Sequence, residues 1–358
     1  MKKICLVSIV KDEEHIIETM LNNMNQFVDE FIIVDTGSTD KTKEIIKKFF
    51  EEKKVKGKLY EREWKNFGHN KTEALQIAEK ESESDYLLFM DADNTIEGNP
   101  IFPEDMDKDL YYLKQSYSNE TNYFWRQQLF KKGLDWSYKG VLHEYPDSDN
   151  FKTEGRIEGN YYCKETHQGS RNKNLKAKYE KDAMILLDGL QEEPNNERYM
   201  YYLGQTYNCL NQFKLAADWF LKCAETTLWD EERYHSLYLA GEALLKIGEE
   251  KKGRYYLLKA WRFRPTRIES MHKLMRDYRN KEQPLEAYQT GMLIKDIPEN
   301  KEDILFVEQE TYNWRVHDEM TLICHELGFI EEGREHFKKM KKVPEKEKER
   351  IENNKKFF

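Results

Sequence analysis

The chain has 358 residues, which exceeds the usual size of one hydrophobic core and favours two domains. Charged residues make up 35% and aromatic residues 13% of the sequence, a composition that excludes an aromatic-poor disordered chain. The formal net charge of −9 argues against nucleic acid as a partner, because polyanion binding needs a clustered basic surface. We therefore expect a folded protein of two domains.

From the apolar runs we expect neither a membrane segment nor an export signal. No apolar run reaches the length of about 18 residues that spans a bilayer, so we expect no integral membrane segment. The apolar stretch at residues 4–10 runs into charges without a cleavage pattern, and we interpret it as the first strand. The five cysteines are scattered and contain no C-x-x-C pair, which favours reduced thiols in the cytoplasm over disulfides or a zinc site.

The first hundred residues alternate short apolar runs with amphipathic segments. Strands are predicted at residues 4–10, 31–35 and 86–91, and helical spacing occurs at 13–26, 40–53 and 70–81. Strands that alternate with helices indicate an α/β, Rossmann-like layer structure with parallel pairing. Further strands are predicted at 110–117, 123–131 and 156–164, without regular helices between them.

Polar residues follow each of the three parallel strands, in VKDEE, DTGSTD and DADN. Ligands of open α/β sheets gather at the carboxyl ends of the strands, so this edge is the candidate site. Asp91 and Asp93 would point to the same side of an extended chain and could hold one Mg²⁺ or Mn²⁺ whose other positions take phosphate oxygens. Two like charges after a buried strand are costly unless a positive group neutralises them. The alternative is a chance pair of acids in a solvated turn.

The DTGSTD turn has a structural and a functional interpretation. Its glycine allows a tight turn, and Ser38 or Thr39 could cap the helix that follows. Capping leaves Asp35 unexplained. A carboxylate at the end of a buried strand could accept the imide N–H of a uracil, with Lys11 and Glu13 near the same base.

From residue 172 onward the pattern is continuously helical. Segment 196–226 matches itself after a shift of 36 residues, which pairs Tyr202 with Tyr238 and Phe220 with Tyr256. A period near 34 with small residues at helix crossings predicts tetratricopeptide-type helical repeats, and an ordinary helical bundle is the alternative. The expected domains are residues 1–171 and 172–345, followed by a polar tail at 346–358.

Several motifs together resemble the family 2 glycosyltransferases of the GT-A fold: VSIVKDEE, IIVDTGSTDKT, W-x-N-FGHNKTEAL and LLFMDADN. Further pieces match in the same order, namely WRQQLF, W-x-Y-x-G-x-L-H-E, THQGSR, P-x-x-x-R-Y-x-Y-Y-L-G-Q and R-P-x-R-I-E. More narrowly, the chain is similar to the subgroup with C-terminal tetratricopeptide repeats, which includes a bacteriocin S-glycosyltransferase. The resemblance runs from residue 3 to about residue 285.

The resemblance implies a metal-dependent enzyme of the hexosyltransferase type, which moves a sugar from a nucleoside diphosphate with inversion at the anomeric carbon. The donor is usually a UDP-sugar. Asp35 would match the uracil-reading Asp, and Asp91 and Asp93 would match the D-x-D motif that binds Mn²⁺ or Mg²⁺. Asp91 would also belong to the nucleotide site, with Val10, Lys11, Glu13 and Ala92.

Asn70 and Lys71 lie at a predicted helix start, where they could meet phosphate directly. Many relatives carry Arg in place of Lys71, so this chain keeps a cation near the pyrophosphate and loses a bidentate fork. A solvated helix face is the alternative for both residues.

Inverting transfer needs a base for the acceptor and a cation for the leaving diphosphate. Glu144 is the candidate base, because similar GT-A enzymes place a carboxylate after the D-x-D motif on the acceptor side. His143 beside it would face the opposite way in an extended chain, so His167 is the better third metal ligand. Arg171 in the same THQGSR segment could close over the diphosphate, and a hinge into the helices is the alternative for this segment.

Five side chains of this region are candidates for sugar or acceptor contact: Trp125, Arg126, Trp136, Tyr138 and His143. Aromatic faces bind the C–H surfaces of sugars, although large aromatics are more often core residues. A buried arginine needs an anionic or hydroxylated partner.

Three functions compete for this sequence. The first is the glycosyltransferase, whose repeats would bind a peptide, protein or glycan acceptor or a second subunit in a homodimer. The second is a tetratricopeptide scaffold with a catalytically idle nucleotide-binding domain. The third is a nucleotidyltransferase, which usually needs a glycine-rich basic loop after the first strand, and SIVKDEE contains none. The sugar and the acceptor are not evident from the sequence.

Overall fold

The computed structural model describes residues 2–116, 123–165 and 174–357. The chain divides into two compact units, Met1–Leu186 and Leu187–Phe358. This division lies within helix α4 (Leu175–Glu192), whereas the expected boundary at residues 171 and 172 lies outside the described residues. Among the described residues, no helix combines the length and the apolar character needed to cross a bilayer.

The first unit contains eleven strands within the described residues. In chain order they are β1 (Ile4–Val10), β2 (Glu30–Asp35), β3 (Lys56–Glu61), β4 (Tyr86–Phe89), β5 (Asn94–Ile101), β6 (Leu110–Ser116), β7 (Phe124–Lys131), β8 (Ser137–Lys139), β9 (Tyr145–Asp147), β10 (Glu154–Arg156) and β11 (Glu158–Glu165). Nine of them form one sheet in the order β3-β2-β1-β4-β7-β6-β11-β5, with β10 paired to β6. Strands β8 and β9 form a separate hairpin.

The sheet has a parallel half and a mixed half. Strands β3, β2, β1 and β4 all run parallel, so their carboxyl ends meet at one edge. Strand β7 is antiparallel to both β4 and β6, and β11 is antiparallel to β5. The predicted α/β, Rossmann-like class is confirmed, with a mixed extension on the β4 side.

Helices cover both faces of the parallel half. Strands β1, β2 and β4 are buried at every residue, as their continuous apolar runs predict for a sheet covered on both sides. Helices α1 (Ile17–Met24) and α2 (Thr42–Lys53) pack on one face, where Met20 and Ile46 join the core. Helix α3 (Phe67–Glu81) packs on the other face through Ala74 and Leu75.

Two strands of this sheet have no clear signal in the sequence. Strand β3, KGKLYE, lies at the edge and is half-exposed, so it shows neither an apolar run nor a regular alternation. Strand β5, NTIEGNPI, contains a glycine and a proline, which normally argue against a strand. Gly98 has φ +88°, and a Cβ there would lie 2.3 Å from the backbone oxygen of Asn160 on β11.

The second unit is an array of helices that pack against their neighbours in sequence. They are α5 (Glu197–Cys209), α6 (Phe213–Thr226), α7 (Asp230–Lys246), α8 (Glu250–Phe263), α9 (Glu269–Asn280), α10 (Pro284–Ile294), α11 (Val316–Leu327), α12 (Ile330–Lys339) and α13 (Glu345–Glu352). A π-helical turn, Thr311–Arg315, leads into α11. The predicted all-α repeat domain is thereby confirmed.

The repeat register differs by one residue from the predicted shift. A Cβ on Gly204 would lie 2.5 Å from the Phe220 ring, and one on Gly241 would lie 2.8 Å from Leu257. Both crossings are related by 37 residues (241 − 204 and 257 − 220), not by 36. The alignment of tyrosines favoured the wrong register, because aromatic residues recur at several positions along these helices. The register is fixed by the glycines, where the two helices of a pair come closest.

The predicted polar tail is helical and ordered against α11. Arg350 of α13 forms an ion pair of 2.7 Å with Asp318, and the Asn354 amide donates to the same carboxylate at 3.0 Å. Ile351 is buried beside them. The tail therefore covers the last hairpin of the array.

Candidate active site

The candidate site lies at the carboxyl edge of the parallel strands. Asp35 ends β2 and is paired with Val10, the last residue of β1. Asp91 follows β4, which lies on the other side of β1. The two acids are therefore separated by two strand spacings, or about 10 Å along the sheet.

Four charged side chains meet beside β4, and we call them the Lys71 cluster: Lys71, Asp91, Arg126 and Glu144. Lys71 of α3 has a side chain that is only 4% exposed, and its Nζ lies 3.0 Å from Asp91 and 2.7 Å from Glu144. The Arg126 guanidinium of β7 lies 3.1 Å from the second Asp91 oxygen. Two cations thus balance two carboxylates that come from separate parts of the chain.

Aromatic rings and a close backbone contact hold Lys71 in place. Its Nζ lies 5.2 Å from the centre of the Phe89 ring and 5.4 Å from that of Tyr138, within cation–π range. The backbone amide of Tyr138 donates to the Thr72 hydroxyl at 2.8 Å, which ties β8 to α3. At Gly68 a Cβ would lie 2.9 Å from the Gly140 oxygen, so a larger residue would separate the two segments.

The cluster shifts the proton affinities of its members in opposite directions. Burial alone would raise the pKa of Asp91, but the charges of Lys71 and Arg126 outweigh it and hold that pKa well below its ordinary value. Burial alone would lower the pKa of Lys71, yet Asp91 and Glu144 raise it above its ordinary value. Burial raises the pKa of the Tyr138 phenol. Asp91, Lys71 and Tyr138 therefore keep their ordinary charges at neutral pH.

The side chains at the D-x-D motif partly fit a divalent cation. Each Asp91 oxygen already contacts a protein cation, so Lys71 and Arg126 supply the neutralising charge that the sequence assigned to a metal. Asp93 is half-buried two residues further on. Within residues 2–116, 123–165 and 174–357, no third His, Cys or acidic side chain joins these two aspartates in metal-ligand range. Two carboxylates completed by donor phosphates are an ordinary Mg²⁺ arrangement, so Asp91 and Asp93 could still hold one.

Asp35 has one carboxylate oxygen in use and one without a partner. Its Oδ1 accepts from the backbone amides of Gly37 and Ser38 at 3.0 and 2.9 Å. Its Oδ2 is buried and has no hydrogen-bond partner in the structure. A buried acceptor without a donor is rare in native proteins and is a place where a ligand N–H can bind.

The loops after β1 and β2 bind each other. The Asp12 amide donates to the Ser38 hydroxyl at 2.9 Å, and the Glu13 amide donates to Thr42 at 2.8 Å. The predicted capping by Ser38 or Thr39 is wrong, because α2 begins at Thr42, whose amide donates instead to Asp40 at 2.9 Å. These contacts hold the turn that carries Asp35.

The other nucleotide candidates differ in what they can offer. Lys11 is exposed at this edge, while Val10 and Ala92 have buried side chains, so that their backbone atoms are what a nucleotide could meet. Asn70 is buried, and its amide is used within the protein: it accepts from the Lys65 amide at 2.9 Å and donates to the Glu63 oxygen at 2.9 Å. A direct phosphate contact by Asn70 conflicts with these bonds.

The three aromatic candidates for sugar contact lie in different environments. Trp136 is wrong as a sugar contact, because it is 2% exposed and packs on Phe130 in the core, with centroids 5.1 Å apart. Trp125 follows the alternation of β7 and faces away from its neighbour Arg126, stacking edge-on against Tyr123 at 5.6 Å. Tyr138 lies at the Lys71 cluster, as described above.

His143 is exposed beside the Lys71 cluster and has a left-handed backbone, with φ +53°. The predicted His167 and Arg171 lie outside the described residues. Phe89 and the pairing of Lys71 with Glu144 were not predicted, because no local sequence pattern indicates that Lys71 contacts either residue. Asn94 was not predicted either; it follows the D-x-D motif directly, and neither atom of its buried amide is hydrogen-bonded.

The sequence of the first unit matches a family model. Residues 5–154 match glycosyl transferase family 2. The glycosyltransferase SunS derived from prophage SPbeta of Bacillus subtilis (strain 168) is 24% identical over 230 residues, which are 60% of this chain and 51% of that protein. Glycosyltransferase SunS of Bacillus phage SPbeta gives the same values. The chain spans about half the length of the curated relatives it matches.

Solved structures with similarity to the chain include MamA and YrrB. A crystal structure of MamA has a TM-score of 0.38 and 16% identity, covering 54% of this chain and 100% of that one. YrrB, a TPR protein with an unusual peptide-binding site, has a TM-score of 0.34 and 16% identity, covering 46% of this chain and 76% of that one. By the match over residues 5–154, the first unit carries a glycosyl transferase family 2 domain.

Proposed function

We propose that the protein is an inverting glycosyltransferase that moves a sugar from a nucleoside diphosphate, a UDP-sugar, to an acceptor. The observation that carries this proposal is the Lys71 cluster at the carboxyl edge of the parallel strands, inside the region that matches glycosyl transferase family 2. Sequence and topology thus support the same sheet edge as the proposed nucleotide site.

The nucleoside end of the donor is proposed to lie at Asp35. Its partnerless Oδ2 can accept the imide N–H of a uracil, and exposed Lys11 lies on the adjoining loop. The diphosphate would then extend past β1 toward Asp91, over the separation of about 10 Å between the two strand ends. A cytosine has no imide N–H at that position, so the Asp35 oxygen without a partner favours a uridine over a cytidine donor.

The diphosphate end would meet both cations and acids. Arg126 is one-third exposed and can reach a phosphate while it stays beside Asp91. A divalent cation, Mn²⁺ or Mg²⁺, would be held by Asp93 and Asp91 and would supply further positive charge to the leaving diphosphate. The buried Lys71 ammonium keeps Asp91 in place through their ion pair.

Glu144 is the proposed base. Its pairing with Lys71 at 2.7 Å fixes the position of the carboxylate, and its side chain is 8% exposed. An acceptor hydroxyl or thiol that reaches Glu144 would give up its proton there as it attacks the anomeric carbon. The repeats are proposed to bind that acceptor, a peptide, protein or glycan, or a second subunit, because helical arrays present extended surfaces. We also propose that the protein is located in the cytoplasm.

One observation favours the alternative, a catalytically idle nucleotide-binding scaffold. Protein cations already contact both Asp91 oxygens, so the acids are neutralised without a substrate or metal. A scaffold of this kind would bind the nucleotide and leave the sugar–phosphate bond intact.

A donor screen separates the two functions. UDP- and GDP-sugars are incubated with the protein, with Mn²⁺, Mg²⁺ or a chelator, and release of nucleoside diphosphate is measured. The transferase should slowly hydrolyse a UDP-sugar in the presence of metal, and Glu144→Gln should bind UDP normally while it loses about 10²- to 10⁴-fold in the rate of this hydrolysis. The exposed neighbour Asp149→Asn is the matched control. Calorimetric UDP binding without turnover would establish the scaffold, and absence of both would reject the nucleotide site.

A further inference from the structure

The second unit contains one connection that is longer than its neighbours. The helices from α5 to α10 are joined by three to five residues, whereas residues 295–310 separate α10 from the π-helical turn before α11. Consecutive helices form hairpins, namely α5 with α6, α7 with α8, α9 with α10 and α11 with α12. In each hairpin a residue with a left-handed backbone follows the first helix, and the spacing of these residues shows where the chain is longer: Asn211, Gly248, Glu282 and Gly328. Their spacings are 37, 34 and 46 residues (248 − 211, 282 − 248 and 328 − 282). Connections of this length are uncommon in compact domains and are usually either functional or disordered.

The connection lies on a surface that we call the first-helix face. This surface comprises Tyr201 of α5, Glu231, His235 and Tyr238 of α7, and Arg264 and Arg267 before α9, which are the first helices of successive hairpins. Several of these residues belong to the R-P-x-R-I-E and P-x-x-x-R-Y-x-Y-Y-L-G-Q motifs, which the transferase site does not use.

Side chains of the first-helix face bind the backbone of the connection. One Glu231 oxygen accepts from the amides of Ile304 and Leu305, both at 2.8 Å. The Arg267 guanidinium donates to the carbonyls of Leu305 and Phe306 at 3.2 and 3.3 Å. The Glu231 carboxylate and the Arg267 guanidinium thereby bind successive peptide groups of the connection. Contacts of this kind give affinity for a bound peptide independently of its side chains.

The face also has distinct places for three side chains of the connection. The Phe306 ring lies parallel to Tyr201, with centroids 6.3 Å apart, and against His235 at 5.3 Å. Asp303 is fully buried and forms an ion pair with Arg264. Glu308 accepts from the Tyr238 hydroxyl at 2.8 Å. The surface thus binds an acidic side chain, an aromatic ring and a second acidic side chain at fixed spacing along the connection.

Two further features show that the surface imposes the conformation. Tyr201 and His235 are joined by a hydrogen bond of 2.7 Å, which orients both rings that Phe306 meets. Burial lowers the pKa of His235 to about 3, so the ring is neutral and can stack. Phe306 itself has φ +45°, a left-handed conformation that is unfavourable for a bulky residue and is kept only by its surroundings.

We propose that the first-helix face is a recognition surface for an acidic peptide with a central aromatic residue, and that residues 303–308 occupy it in cis. A partner segment of the pattern acid-x-x-aromatic-x-acid competes with this internal segment for the surface. The proposal does not depend on the transferase activity, because every residue that carries it belongs to the second unit.

The test measures binding in trans by the full-length protein. The probe is a labelled synthetic peptide of residues 302–309, Glu-Asp-Ile-Leu-Phe-Val-Glu-Gln, followed by fluorescence anisotropy. Apparent affinity falls in proportion to the fraction of molecules whose surface is open, so weakening the internal segment should tighten binding of the probe. Phe306→Ala and, separately, the volume-conserving Asp303→Asn should each bind the peptide about tenfold more tightly than the unaltered protein.

Matched controls distinguish this mechanism from general loosening. Glu302→Gln removes an exposed charge of the same connection and should leave binding unchanged. A peptide with Ala in place of Phe should not bind any of the proteins. In the unaltered protein, a large excess of the native peptide should speed amide hydrogen exchange at Ile304 and Leu305, which lose Glu231 when displaced. The proposal fails if neither variant binds more tightly and exchange at these amides is unchanged.

Discussion

The ammonium of Lys71 holds the candidate site together at the scale of single residues. It lies between Asp91 and Glu144, at 3.0 and 2.7 Å, in a position with almost no contact with water. A buried charge of this kind is tolerated only with partners, and removing one partner leaves the others uncompensated. The residue that positions the acids of the proposed diphosphate site therefore also contributes to folding.

Replacing Lys71 with methionine should destabilise the first unit. The substitution keeps a similar side-chain length but leaves the buried Glu144 carboxylate facing the partly exposed Asp91 without the ammonium between them, which costs about 3–5 kcal/mol. Urea denaturation of the variant measures this loss. Lys80→Met, an exposed change on the same helix, should shift the midpoint little. Equal stability of the Lys71 variant would show that water reaches both acids.

The pH dependence of stability should report on Asp91. Its pKa is lowered in the folded state, so its contribution is complete above the ordinary carboxyl pKa of about 4 and is lost as pH falls through the lower, folded pKa. In Asp91→Asn, the free energy of unfolding should fall less steeply than in the unaltered protein between about pH 4 and pH 2. Asp107→Asn, at an exposed aspartate, is the control. Identical slopes would contradict the ion pairs.

At the scale of elements, contacts between neighbouring segments fix the geometry more than local propensity does. Gly68 lets the start of α3 approach the β8 segment, and Gly98 lets β5 pair with β11. Gly204 has the same role in the second unit, where α5 crosses α6 against the ring of Phe220. Each position is occupied by glycine because another part of the fold takes the space of a Cβ.

Gly204→Ala should therefore destabilise the helical unit. Alanine in a helix normally gains up to about 1 kcal/mol over glycine, so local propensity favours the substitution. Here the new Cβ would lie 2.5 Å from the Phe220 ring, and overpacking costs about 1–3 kcal/mol. Thermal unfolding followed by circular dichroism should show a lower midpoint. Cys209→Ala, exposed on the same helix, should be near neutral, and a stabilised Gly204 variant would mean that α6 can shift freely.

The whole molecule contains two units with separate hydrophobic cores. Among the described residues, two apolar clusters belong to the sheet unit and two others to the helical unit. Units of this kind can unfold independently. A ligand that binds one native unit stabilises that unit, by about 2.7 kcal/mol when its concentration is one hundred times its dissociation constant.

Calorimetry of the full chain should accordingly resolve two unfolding transitions. We expect Gly204→Ala to lower the temperature of only one of them, and UDP with Mn²⁺ to raise the temperature of the other. One transition that moves as a whole in both experiments would show that the units unfold together. A UDP-induced rise in the transition that Gly204→Ala lowers would place the nucleotide site in the wrong unit.

The class of each unit and the edge of the candidate site follow from patterns in the sequence. Continuous apolar runs gave β1, β2 and β4, because strands buried on both faces contain apolar residues at every position. The polar segments that follow these runs located Asp35 and Asp91 at one sheet edge, since parallel strands end together. Recurring helical spacing in the second half indicated the repeat array.

The contacts between side chains depend on the folded chain and have no local signal. Lys71, Arg126 and Glu144 are distant in sequence from Asp91, and no local pattern records that two cations approach it. Trp136 and Asn70 have the residue types of a binding site, but packing against Phe130 and hydrogen bonds to Lys65 and Glu63 use their surfaces within the protein. Residues 303–308 also read as an ordinary connection until the fold brings them onto the first-helix face. The periodicity of a segment reflects only which of its own faces is buried. Ion pairs, and the binding of residues 303–308 to the first-helix face, depend on segments that are distant in sequence and meet only in the folded chain.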